Sequence, residues 1–298
     1  MHNVFEYDEA FSRNIGWVTE SEQARLRRAR VAIAGMGGVG GVHLLTLARF
    51  GVGGFSIADF DAFDLPNFNR QAGALVSTVG RPKAEVLAEM ARDINPDIDL
   101  RLFADGVSGA NLDAFLDGAD VYVDGLDFFA FEARRAVFAA CRCRGIAAVT
   151  AAPLGMGTAM LVFTPDGMSF DDYFGLDACR DEEEMAVRFL LGLSPAMLQR
   201  AYLADASRVD LAARRGPSTV AACQLCAGVA ATEAVKLLLG RGEVLAAPWG
   251  YQFDAYRNRF KRTWRPGGHR NPLQRIGLWV ARRQLARMKK QGERHAQS

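Results

Sequence analysis

A doubly wound α/β fold with a mostly parallel sheet is what this 298-residue sequence predicts, and three observations predict it. Short apolar strands alternate with helical stretches over the first half of the chain, and parallel neighbours need such crossover connections. A glycine-rich turn, Gly35-Met36-Gly37-Gly38-Val39-Gly40, joins the first strand to the first of these helices. The polar motifs farther on each follow a strand, where a parallel sheet presents its carboxyl ends to a ligand.

Hydrophobic periodicity places strands at 31–35, 55–59, 98–103, 120–125 and 146–150. The helices between them fall at about 40–50, 82–93, 110–117 and 129–143. The rhythm changes after Pro153. Another strand is expected over Thr158–Thr164, followed by a helical crossover segment at about 165–215. Within it, 185–203 reads as two helical pieces around Ser194-Pro195, with Ser194 as a cap and Pro195 opening the second piece. Thr219 to Leu239 reads as a long helix stopped by Gly240, and Tyr251 to Trp264 alternates like a strand in an antiparallel C-terminal extension. One domain is expected over 1–264, with a basic tail or helix at 265–298.

Half of the residues are hydrophobic, enough to bury a full core. Acidic Glu6, Asp8 and Glu9 occupy the place where a secretory signal carries bases, and no uncharged apolar run spans a bilayer. Five cysteines do not suggest a disulfide framework, so a reducing, cytoplasmic setting is expected. The net charge of +2 conceals an asymmetry: thirteen Lys or Arg face one acid from Arg257 onward, leaving an acidic body with a basic tail.

The glycine turn fits Gly-x-Gly-x-x-Gly, so Gly35, Gly37, Gly38 and Gly40 form a candidate phosphate cradle against a helix N-terminus. Asp59 follows at the distance of a ribose ligand. Taken alone, this pattern suggests NAD. What comes next does not: Asp59-Phe60-Asp61, then Asn67-Phe68-Asn69-Arg70-Gln71, Gly80-Arg81-Pro82-Lys83, and Asp124-Gly125-Leu126-Asp127.

These four ordered motifs, with Phe11-Ser12-Arg13-Asn14 near the start, resemble the ThiF/MoeB/HesA family, bacterial relatives of ubiquitin-activating E1 enzymes. The resemblance covers roughly residues 5–165, with a weaker echo over 219–260. It implies a Rossmann-like ATP-dependent adenylyltransferase. In such an enzyme a carboxylate attacks the α-phosphate of ATP, and the protein's work is positioning and charge neutralisation. By resemblance, Arg70 and Lys83 hold the triphosphate with Asn67 assisting, Asp59 and Asp61 belong to the nucleotide site, and Asp127 holds Mg²⁺. Arg13 would reach the ATP of the other subunit of a homodimer. The implied partner is the C-terminus of a ubiquitin-like or sulfur-carrier protein, while a carboxylate on tRNA or a small peptide fits the same core.

Each assignment competes with a structural explanation. Arg70 fits an ordinary loop position, Asp59 fits a turn cap and Asp127 fits a helix N-cap. Lys83 sits in a helix's first turn, where the dipole disfavours a cation and a bound phosphate explains it better. Phe128 stands where much of the family has Asn, and Gly41 where Ser is common; neither change removes a charge. A NAD-dependent oxidoreductase remains the alternative that uses the same turn, and a non-catalytic E1-like subunit is a third reading.

Cys223-Gln224-Leu225-Cys226 supplies half of a zinc site, and the regions that hold cysteine pairs in zinc-bearing relatives lack them here. No structural zinc is expected. Cys179 lies in the crossover where thioester-forming relatives carry their cysteine, which makes it a candidate nucleophile without a supporting motif. Leu273 to Arg294 reads as a basic helix with Leu273, Ile276, Trp279, Val280 and Met288 as its apolar residues. Docking on the acidic body, a membrane surface, an acidic partner or RNA all suit it.

Overall fold

In the computed structural model, which describes residues 5–283 apart from residue 212, the chain builds one eight-stranded sheet in the order β3-β2-β1-β4-β5-β6-β7-β8. Helices α1 (Tyr7–Ala10) and α2 (Glu20–Arg28) lead into β1 (Arg30–Ala34). Next come α3 (Gly40–Arg49), β2 (Gly54–Ala58), α4 (Lys83–Ile94), β3 (Asp99–Phe103), α5 (Leu112–Leu116), β4 (Val121–Asp124), α6 (Phe131–Cys143) and β5 (Ala147–Leu154). The second half adds β6 (Gly157–Phe163), α7 (Phe170–Phe174), α8 (Glu182–Leu193), α9 (Val220–Leu239), β7 (Trp249–Asp254) and β8 (Arg259–Trp264). Strands β1 to β5 run parallel, and β6, β7 and β8 continue the sheet antiparallel.

Alternation along β1 explains the two layers. Val31 and Ile33 pack with Leu44 and Leu47 of α3, Ala88 of α4 and Ala230 and Ala234 of α9. Ala32 and Ala34 face the other way, into a core of Phe115, Phe131, Phe138, Phe170 and Phe189. Because both faces of β1 are covered, its residues are all apolar from Val31 onward rather than alternating. Helix α9 has the length and apolar content of a membrane span, yet it packs across β4, β5 and β6 and against α3 as a core helix.

Several sequence expectations need correction. The stretch from Tyr251 to Trp264 is a hairpin of β7 and β8 and not one strand; it turns through Asn258 in a left-handed conformation. Pro195 opens no second α-helix: Met197 has φ 45° and only a 3₁₀ turn, Leu198–Tyr202, follows. Ser194 ends α8 instead, bonding Gln199 and Gln252. The first piece begins three residues early because Asp181 caps α8 by accepting from Glu184 N at 2.8 Å. Strand β5 runs four residues past the expected end. Thr219 and Gly240 close α9 at its two ends, Gly240 at φ 62°, as the sequence indicates.

Residues 272–283 are helical, and the expected helix continues into residues outside those described.

Candidate functional site

The strand order reverses between β1 and β4, and the ligand crevice of an open α/β sheet lies at such a switch point. The glycine turn leaves β1 there. Gly35 has φ 87°, and a Cβ on it would lie 2.2 Å from Gly125 O; one on Gly40 would lie 1.7 Å from Gly35 O. Only glycine allows the turn, the start of α3 and the loop after β4 to meet backbone to backbone. Helix α3 then opens without a side-chain cap, with Gly41 N donating back to Gly37 O at 3.3 Å, and such a helix N-terminus suits an anion.

The loop after β2 supplies the charges. Asp59 accepts from Met36 N at 2.5 Å and from Asp61 N at 2.7 Å, pinning the turn to this loop. Burial pushes the Asp59 carboxyl above its usual range, against the pull of those two donors and of Lys83. Asp61 in turn accepts from Lys83, through its carbonyl to Lys83 N at 2.9 Å and through its carboxylate to Lys83 Nζ at 2.9 Å. Lys83 is the first residue of α4 and only 6% exposed, so a buried ammonium faces that helix's positive end with half-exposed Asp61 as its counter-ion.

Arg70 lays its stem beside Gly38, and its guanidinium donates to Pro66 O at 3.0 Å and to Asn69 Oδ1 at 2.8 Å. It has no carboxylate partner among the described residues. Asn67 spends its side-chain oxygen on Asp64 N, capping the short turn ahead of Arg70. Asn69 donates to Ser218 O at 3.0 Å, which ties the loop to the start of α9.

Asp127 is exposed on the loop after β4, where its carboxylate accepts from Phe129 N at 3.0 Å. Arg134, which sequence reasoning missed, holds that loop in shape. It pairs with buried Asp124 at 2.8 Å and donates to Leu126 O, Asp127 O and Phe128 O. Asp124 also accepts from Thr150 at 2.9 Å and Tyr122 at 3.2 Å. Phe128 joins Phe129, Phe131 and Phe189 in an aromatic cluster, so the family's amide position is apolar here.

Arg13 stands apart. Its 3₁₀ turn is tied by Asn14 to Phe50 O, just beyond the end of α3 opposite the glycine turn, about 15 Å along the helix. One chain alone does not bring Arg13 to its own site.

Burial pushes Cys179 up to about 11, although Arg188 opposes it, and its Sγ lies 3.7 Å from Gly175 O. Cys223 and Cys226 are fully buried in α9; Cys226 sits 3.2 Å from Thr158 Oγ1, while Cys223 lies beside Gly38. No group of three or more metal-ligating side chains exists among the described residues.

Fold and site together are those of a doubly wound α/β protein with a glycine cradle at its switch point, Arg70 and Lys83 on the neighbouring loop and helix, and a carboxylate on the adjoining loop. The chain belongs to the ThiF family, whose model matches residues 11–275. It is 30% identical over 223 residues to the SAMP-activating enzyme E1 of Haloferax volcanii, covering 75% of this chain and 72% of that protein. Over 143 residues it is 34% identical to the Escherichia coli sulfur carrier protein ThiS adenylyltransferase, 48% of this chain and 56% of the relative. The chain spans about half the length of several of the curated relatives it matches. The fold matches that of E. coli tRNA N6-threonylcarbamoyladenosine dehydratase, TcdA, in complex with ATP. The TM-score is 0.57 at 22% identity, over 78% of this chain and 95% of that one.

Proposed function

We propose that this protein is an ATP-dependent adenylyltransferase that activates a carboxylate, that of the C-terminus of a ubiquitin-like or sulfur-carrier protein, as an acyl-adenylate. One observation carries the reading: an arginine without a carboxylate partner among the described residues lies on Gly38, and a buried lysine at a helix N-terminus is held by Asp61 on the loop that Asp59 pins to the same glycine turn. A nicotinamide enzyme has no use for that pair, whereas a triphosphate needs both. The names of two relatives, a ThiS adenylyltransferase and a SAMP-activating E1, support a carrier protein as substrate.

The cradle fits a phosphate because its floor is backbone, with no room for a Cβ at Gly35 or Gly40. There Arg70 and Lys83 neutralise the phosphates, and Asp59, anchored by Met36 and Asp61, faces the ribose. Exposed Asp127 would hold Mg²⁺, which adds positive charge at the phosphates. A carboxylate oxygen of the substrate attacks the α-phosphorus, the bond from that phosphorus to the bridging oxygen breaks, and pyrophosphate leaves with the electron pair. The negative charge that the carboxylate gives up on forming the new bond develops on the departing pyrophosphate, which these cations would already face.

We assign the adenylation unit to residues 1–264 and read 265–298 as an appended basic segment. Arg13 acts on the nucleotide of a second copy in a homodimer, a role supported by its exposure and its distance from its own cradle. Exposed Ile15 and Trp17 beside it suit a contact between copies.

ATP–pyrophosphate exchange against carrier-protein C-termini, peptides and tRNA-linked carboxylates tests the reading, with Asp127→Ala as control. Exchange with one carboxylate class that the substitution abolishes is the expected result. Exchange untouched by the substitution, or tight NADH binding without ATP binding, overturns it.

A further inference from the structure

The C-terminal helical segment is amphipathic in an inverted sense. Its inner side is anchored to α8: Gln274 Nε2 donates to Leu191 O at 3.2 Å, Gly277 faces the Leu191 methyls, and Arg282 pairs with Glu184. Gln274, Gly277, Leu278 and Ala281 are partly buried along that side. The outer side carries Leu273, Ile276, Trp279 and Val280, which are 60%, 58%, 53% and 37% exposed. At 100° per residue these four form one stripe, and the helix presents it to solvent. Arg275 is exposed beside it, and Arg283, also exposed, falls within the stripe and lies over the Trp279 ring at 3.8 Å.

Charge identifies what would cover this stripe. From residue 272 to the end of the sequence there are seven Lys or Arg and a single acid, Glu293. An apolar stripe flanked on one side by Arg275 and crossed by Arg283 matches the boundary between anionic headgroups and acyl chains, where Trp is favoured and Arg stems keep their heads in the polar layer. RNA would satisfy the bases and leave Leu273, Ile276 and Val280 unused. A helix-binding groove on a protein would take the apolar stripe but has no use for the excess of bases beside it. A second copy would need roughly 20–30 residues a side for a standard interface, and four apolar side chains fall far short of that.

We infer that the outer face of residues 272–283 is a peripheral docking surface for an anionic lipid bilayer, holding the protein reversibly at the membrane. A short stripe and a cluster of bases are two weak signals, and reversible attachment takes both. This proposal is independent of the adenylation reading.

Sedimentation of the full chain with vesicles of phosphatidylcholine, with and without phosphatidylserine, tests it. The expected result is binding to the phosphatidylserine vesicles alone, weakened by added salt. A variant carrying Ile276→Ser and Trp279→Ser should bind at least about tenfold more weakly. Both side chains are exposed, so the variant should keep its circular dichroism spectrum and its ATP binding. No association with anionic vesicles, or equal association of the variant, overturns the inference. So does a wild-type dimer on gel filtration that the variant dissolves, or an RNA mobility shift that the variant loses, since either assigns the stripe to another occupant.

Discussion

Arg134 and Asp124 form a buried ion pair, Nε to Oδ2 at 2.8 Å with both side chains about 3% exposed, and the same guanidinium holds three successive carbonyls of the loop that carries Asp127. A surface residue is thus placed by a buried one.

Replacing Arg134 by Met strands the Asp124 carboxylate and frees the loop. Breaking one side of a buried pair costs about 3–5 kcal/mol. Urea denaturation should show that loss, and exchange activity should fall even where the protein remains folded. Arg134→Lys keeps the charge without the fork that spans three carbonyls, so it should recover part of the stability and less of the activity.

Lys83 is the residue whose loss should separate binding from folding. Lys83→Met removes a cation that opposes its own helix dipole and leaves only half-exposed Asp61 without a partner. The expected stability change is under about 1 kcal/mol, whereas exchange turnover should fall by about 10²-fold or more. Thermal melting and exchange kinetics on the same preparation measure both.

Fully buried His43 has no hydrogen-bond partner at either ring nitrogen, and burial holds it down at about 4 against a smaller upward pull from Asp124. Its ordinary value is 6.5, so the unfolded chain takes up the proton first. Stability from neutral His43 is complete above about pH 6.5 and is lost as the pH falls toward 4. His43→Leu should be neutral or stabilising by about 1 kcal/mol at pH 7, and should flatten the fall of Tm through that window.

Glu184 titrates lower. Burial raises its carboxyl, yet hydrogen bonds from Arg180, Arg188 and Arg282 outweigh burial and bring it to about 2 from 4.5. Its contribution is present above about pH 4.5 and disappears as the pH drops toward 2. Because Arg282 belongs to the C-terminal helical segment, acid should loosen that segment from α8. Hydrogen exchange over residues 272–283 should rise in that range, and Glu184→Gln should raise it already at pH 7.

Legibility in the sequence followed locality. Strands and helices of the parallel half were readable because each carries its own apolar period, and Gly240 was readable as a stop because a left-handed glycine ends α9. The β7–β8 hairpin was not: its turn, Ala255-Tyr256-Arg257-Asn258, has neither Gly nor Pro, and the one signal was Asn258, a residue that tolerates positive φ. Pro195 fits a helix opening by composition, but the left-handed Met197 lies in the way. At the site, the glycines and the charged residues stood out as motifs. The Lys83–Asp61 pairing and the Arg134 clamp are contacts over 22 and 10 residues that only the assembled sheet creates.

The backbone meeting of Gly35, Gly40 and Gly125 has a mechanical consequence. With no side chain between them, the cradle and the Asp127 loop are spaced by main-chain thickness alone, as rigidly as two leaves of a fixed hinge. A substitution at any of the three that adds even one carbon must push the glycine turn and the Asp127 loop apart, so their spacing depends on the absence of three side chains rather than on the presence of any.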